Sequence, residues 1–100
     1  MLNNFRTYQL SKELYQKCKS LRLPSFLKLQ LMRAASSVSL NLAEGSARKS
    51  EKDRRRFYNI AMASLREVQS ILDLEDISQV KDLADQLGAH LYRLMNSGSL

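Results

Sequence analysis

Four stretches of the chain repeat apolar or small residues at three- and four-residue steps, the period of one helical face. The first predicts a helix over about residues 4–21, on Tyr8, Ser11, Leu14 or Tyr15, Cys18 and Leu21. Asn3 or Asn4 is placed to cap its start. Arg22-Leu23-Pro24 ends it, because a residue before proline avoids the helical region. The second helix is expected over about 25–44, with Ser25 as N-cap and Leu27, Leu31, Ala35, Val38 and Leu42 as its main stripe. Its other faces are small or weakly polar, with Ala34, Ser36, Ser37, Ser39 and Asn41. Such a helix suits burial on more than one side, and its serines read as hydroxyls at close helix contacts. Gly45 follows as the expected left-handed cap.

The third helix is expected over about 50–74. Ser50-Glu51-Lys52-Asp53 resembles a capping box at its start, and Tyr58, Ala61, Leu65, Val68 and Leu72 form its face. The fourth is expected over about 77–95. Asp76-Ile77-Ser78-Gln79 resembles a second capping box, and Val80, Leu83 or Ala84, Leu87, Leu91 and Leu94 follow a near-heptad spacing. Four amphipathic helices with short connections predict an all-α fold, an antiparallel up-down-up-down four-helix bundle in a single domain, 1–100.

Composition agrees with few, long elements: three Gly and one Pro in 100 residues leave little to interrupt a helix. The single Cys18 excludes an internal disulfide and a cysteine-rich zinc site. Apolar runs are too short to span a membrane, and no leader pattern opens the chain, so the expectation is a soluble, unprocessed, cytoplasmic protein.

Charge changes the picture more. The chain carries a net +6, and it is uneven. Residues 1–56 hold 13 Lys and Arg against 4 Asp and Glu, a net +9; residues 57–100 hold 3 against 6, a net −3. Such asymmetry points to a polyanionic partner. Six cations fall within nine positions: Arg48, Lys49, Lys52, Arg54, Arg55 and Arg56. Cations oppose the dipole at a helix N-terminus, so their density there calls for a reason. The up-down topology brings them to one end with Arg6 and Arg93. Asp73, Glu75, Asp76 and Asp82 go to the other end, mixed with Lys17, Lys19, Arg22, Lys28 and Lys81.

Candidate chemistry is sparse. Gly45, Gly88 and Gly98 are too scattered for a phosphate-binding loop. His90 stands alone and reads as a boundary or surface residue; Cys18 reads as a small core residue. A Cys18–His90 pair would lack an orienting group and an oxyanion site. Glu44 opposes the dipole in the last turn of its helix, which predicts an ion pair with Arg48, Arg56 or Arg6 that braces the corner. No catalytic residue, cofactor or metal site is expected. The candidate nucleic-acid-binding residues are Arg6, Arg48, Lys49, Lys52, Arg54, Arg55 and Arg56, acting on backbone phosphates without sequence preference. Asn41, Glu44, Gly45 and Ser50 are the candidate structural residues of the turn. Phe57 and Tyr58 adjoin the cluster, but their spacing marks at least one as core.

Several strings resemble a known family. They are Phe5-Arg6-x-Tyr8-Gln9-Leu10, Leu23-Pro24, Gln30-Leu31-x-Arg33-Ala34-Ala35-x-Ser37-Val38, Asn41-x-Ala43-Glu44-Gly45-Ser46, and Phe57-Tyr58-x-Ile60-Ala61-x-x-Ser64-Leu65-x-Glu67. Together they resemble the four-helix-bundle proteins named after 23S rRNA intervening sequences, a fold shared with the accessory variability determinant of diversity-generating retroelements. The family pattern has Gly-Arg where this chain has Ala47-Arg48, which keeps the cation. The resemblance implies a non-enzymatic bundle, a ring-like homopentamer, nucleic acid (RNA or DNA) as partner and, for the retroelement branch, a reverse transcriptase. The alternative it leaves is a structural or protein-interaction adaptor with no direct nucleic-acid role.

Overall fold

A computed structural model describes residues 5–96. It is all-α among these residues, with four helices: α1 (Arg6–Lys19), α2 (Ser25–Ser46), α3 (Glu51–Leu74) and α4 (Lys81–Asn96). Each helix packs against the next, α4 returns to α1, and the α2–α3 interface is the most extensive. The expected caps Asn3 and Asn4 lie outside the described residues.

The helix ends follow local chemistry, and three differ from the sequence expectation. Ser25 is the first residue of α2, not its N-cap; Pro24 takes that place, and its carbonyl accepts from the amides of Leu27 and Lys28 at 3.0 and 2.9 Å. Lys28 then turns back on α1, where its ammonium donates to the carbonyls of Lys19 (2.8 Å) and Leu21. The Lys19 carbonyl is an open acceptor at the end of α1, and Leu21 lies in the loop just past it. Gly45 is not a left-handed cap. It lies inside α2, buried, with no positive φ. Its reason is close approach: a Cβ there would stand 2.6 Å from Tyr58 Cε1 and 3.2 Å from Phe57 Cβ of α3.

The third difference is Asp76. It does not open α4 as a capping residue but closes α3, in the left-handed region at φ 53°. The amide of Ile77 donates to Leu72 O at 2.9 Å and that of Asp76 to Asp73 O at 3.1 Å. This is the double bond of a Schellman motif, with aspartate where glycine is usual. Ile77 packs on the core and fixes it. α4 consequently starts at Lys81, four residues later than expected. Ser50 does cap α3 as expected, accepting from the Asp53 amide at 3.1 Å.

The core is a column of leucines and smaller residues from all four helices, including Leu14, Leu31, Val38, Leu65, Val68, Leu87 and Leu91. On α1 the buried stripe is Thr7, Leu10, Ser11, Leu14 and Cys18, so Tyr8 and Leu21 sit at its edge. Small hydroxyls join the helices where they come closest. Ser11 Oγ meets Ser39 Oγ at 2.8 Å, and Ser37 Oγ meets Ser64 Oγ at 2.7 Å. Asn41 lies within α2 and donates to Ser37 O and Oγ at 2.9 and 3.1 Å, which orders the Ser37–Ser64 contact.

Candidate functional site

The corner between α2 and α3 is held by the cations that make it basic. Arg48 pairs with Glu44 one turn earlier, the ion pair expected at this corner. Arg54 folds back from the first turn of α3, and its Nη1 donates to the carbonyls of Arg48 (3.0 Å) and Lys49 (2.8 Å). A cation at the positive end of a helix is thus held by the loop's own oxygens. Arg55 faces Glu51 at 3.7 Å. That Glu51 oxygen is buried without a hydrogen bond among the described residues, so Arg55 and the positive end of α3 compensate its charge.

Two guanidinium groups flank one ring. Arg48 lies 4.8 Å and Arg56 4.5 Å from the centre of Phe57. Cation–π attraction holds both beside the half-buried ring. Tyr58, the next residue, is buried against Phe5 of the chain's start, with ring centres 6.5 Å apart. Burial pushes its phenol pKa up, against the charge of nearby Arg54. Lys49 and Lys52 are exposed and make no hydrogen bond or ion pair through their side chains among the described residues.

The remaining cations join from neighbouring helices. His90 on α4 has its pKa held below the usual 6.5, first by partial burial, then by the charges of Arg93 and Arg6. Arg6 of α1 and Arg93 of α4 thus both act on His90 through their charges. The Phe5–Tyr58 contact places this group at the same end as the α2–α3 corner. Beside the α3–α4 turn, a hollow of about 440 Å³ is lined by Asp73, Asp76 and Asp85, with Lys81 as its cation. Cys18 is buried, with its thiol pushed up to about 11 by burial. It lies twelve residues from Arg6 along α1, roughly 18 Å at the helical rise, so it does not meet His90.

The model of the 23S rRNA-intervening sequence protein family matches residues 4–96 of the chain. The chain belongs to this family. The match extends across α4, beyond the strings that carry the resemblance in the sequence. No curated protein and no solved structure gives a match. Among the described residues no helix is long and apolar enough to cross a membrane.

Sequence reasoning identified the cations of this member of the 23S rRNA-intervening sequence family but not their division of labour. Arg54 is a brace, Arg48 and Arg56 are oriented by Phe57, and Lys49 and Lys52 face solvent. Phe57 and its two arginines fall at positions 48, 56 and 57. These two contacts depend on how α3 leaves the corner, which the sequence pattern does not specify.

Proposed function

We propose that this protein is a non-enzymatic, oligomeric bundle that binds nucleic acid through backbone phosphates at its basic end. The observation that carries the reading is the set Lys49, Lys52 and Arg56, exposed together on the corner while Glu44 is paired with Arg48 and Glu51 with Arg55, against Asp53 as the corner carboxylate outside those pairs. Arginine forks oriented in advance lose less freedom on meeting phosphate. The helices run up-down-up-down. The contact register supports this, since Gly45 lies against Tyr58 while Ser37 meets Ser64 further from the turn. A homo-oligomer, a ring-like pentamer by family resemblance, is supported by the exposed apolar side of α2. A cytoplasmic setting fits the lone reduced Cys18.

The test is a fluorescence-anisotropy titration against RNA and duplex DNA at several salt concentrations. Affinity should fall steeply with salt. The variant Lys49→Ala/Lys52→Ala/Arg56→Ala, which spares the Arg54 brace, should bind more weakly with a shallower slope, by about 0.7–0.9 for each phosphate that is no longer neutralised. No binding at low salt would overturn the proposal and favour the adaptor role, including one toward a reverse transcriptase.

A further inference from the structure

A second feature lies away from the corner, in the groove between α3 and α4. It holds about 310 Å³, and its walls include Arg66 from α3 and Asp85, Gly88, Tyr92 and Arg93 from α4. Asp85, Gly88 and Tyr92 recur at three- and four-residue steps on one helical face, and Arg93 follows beside it.

Three observations make this groove more than a seam. Tyr92 is 62% exposed, whereas Leu87 and Leu91 of the same helix are fully buried. Burial in the bundle does not account for an aromatic ring at that place. Arg66 is held in position: its Nη1 donates to Gln69 Oε1 at 2.8 Å, and Gln69 Nε2 donates to Asp85 Oδ1 at 3.1 Å. Lys81 pairs with the other Asp85 oxygen at 3.0 Å, so the groove's carboxylate is already compensated.

Gly88 is the third. Glycine weakens the interior of a helix. Here the backbone does not demand it, because φ is not positive. Neighbouring atoms do not demand it either, since a Cβ would meet Leu65 Cδ2 at 3.6 Å and Arg66 Nη1 at 3.7 Å, ordinary contacts. What the missing side chain leaves is depth beside the Arg66 guanidinium.

We propose that this groove takes a single-stranded segment of nucleic acid, with one base stacked on Tyr92 and flanking phosphates held by Arg66 and Arg93. The inference rests on the backbone binding proposed above and adds strand preference to it. A duplex hides its base faces in its own stack and offers mainly phosphates. A single strand presents both a π-face for the tyrosine and phosphates for the arginines. Arg93 stands in the last turn of α4 and Arg6 in the first of α1, so a strand leaving the groove past Arg93 runs toward the basic end.

The experiment compares a labelled 20-nucleotide oligouridine with an RNA duplex of equal length, by anisotropy at low and moderate salt. The protein should bind the single strand about tenfold more tightly. Tyr92→Ala should lose roughly tenfold on the single strand, the size expected for one stacked base, and nothing on the duplex. Tyr92→Phe keeps the ring and should stay near the parent. Tyr92 is exposed, so circular dichroism melts should coincide for all three. Equal binding of both nucleic acids, unchanged by Tyr92→Ala, overturns this inference and leaves backbone binding standing. A Tyr92→Ala variant that changes the sedimentation coefficient but not RNA affinity overturns it too, making the groove a protein contact. Binding of neither nucleic acid at low salt overturns the function proposed above, and this inference with it.

Discussion

Gly45 and Gly88 both stand inside helices and answer to different forces. At Gly45 a methyl group would collide with the buried Tyr58 ring, so Gly45→Ala should destabilise the fold by about 1–2 kcal/mol, overpacking outweighing the gain in helix propensity. At Gly88 the same change meets ordinary contacts, and stability should hold or rise by up to about 1 kcal/mol. Paired thermal melts distinguish the two; equal losses would contradict this account. The sequence showed both glycines but not this difference, because the atom that decides Gly45 belongs to another helix. His90 offers a second residue-scale check. Its folded pKa is depressed, so the unfolded chain takes up the proton more readily. Its contribution to stability is therefore complete above the ordinary value near 6.5 and is lost as pH falls from there toward the folded pKa. Denaturant melts from pH 7.5 to 5 should show that decline, reduced in His90→Gln. A polyanion bound at Arg6 and Arg93 should raise the His90 pKa, readable from its imidazole resonances in NMR.

At the scale of elements, the corner between α2 and α3 separates cations that brace it from cations left to solvent. Arg54 donates two hydrogen bonds to loop carbonyls, and it is partly shielded. Arg54→Ala should cost about 1 kcal/mol, a discounted figure for charge-assisted bonds near solvent. It should leave the salt slope of nucleic-acid binding almost unchanged. Lys52→Ala should do the reverse, with an unaltered melt and a shallower slope. If Arg54→Ala lowers the slope as Lys52→Ala does, the brace assignment fails. The number of helices, their inner faces and their short connections were legible, because each rests on periodicity within one segment. Their ends were legible only in part: Ser50 caps α3 as its sequence implies. Asp76-Ile77-Ser78-Gln79 has the residues of an N-terminal box, yet the packing of Ile77 against the core assigns Asp76 to the end of α3. Likewise Pro24 supplants Ser25, since its carbonyl already meets the first free amides. The candidate site was legible as a sum of charges. Which cations are free to meet a partner depends on side-chain geometry across the corner, and no local pattern encodes that.

Across the whole molecule, charge and apolar surface are arranged along different directions. The bundle measures about 40 by 22 by 21 Å, so its ends lie several screening lengths apart at physiological salt and act independently. The lateral surface carries the second signal. Leu31, Ala35, Val38 and Leu42 of α2 face the core, while Phe26, Leu29 and Leu40 lie on the opposite side at 70, 58 and 68% exposure. Three large apolar side chains exposed around Arg33 on one helix make a side that calls for a neighbour. Self-association through this side would array several basic ends around one assembly, and linked weak sites bind far more tightly than one. The double variant Leu29→Glu/Leu40→Glu tests this chain of reasoning. Both side chains are exposed, so helicity and the melting curve should be kept while sedimentation equilibrium moves from an oligomer to a monomer. With every basic residue intact, that monomer should nevertheless bind a long RNA at least tenfold more weakly, and one only a few nucleotides long about as well as before. A parent protein that is monomeric at high micromolar concentration would remove the premise. A monomeric variant that binds long RNA as tightly as the parent would show that a single basic end suffices.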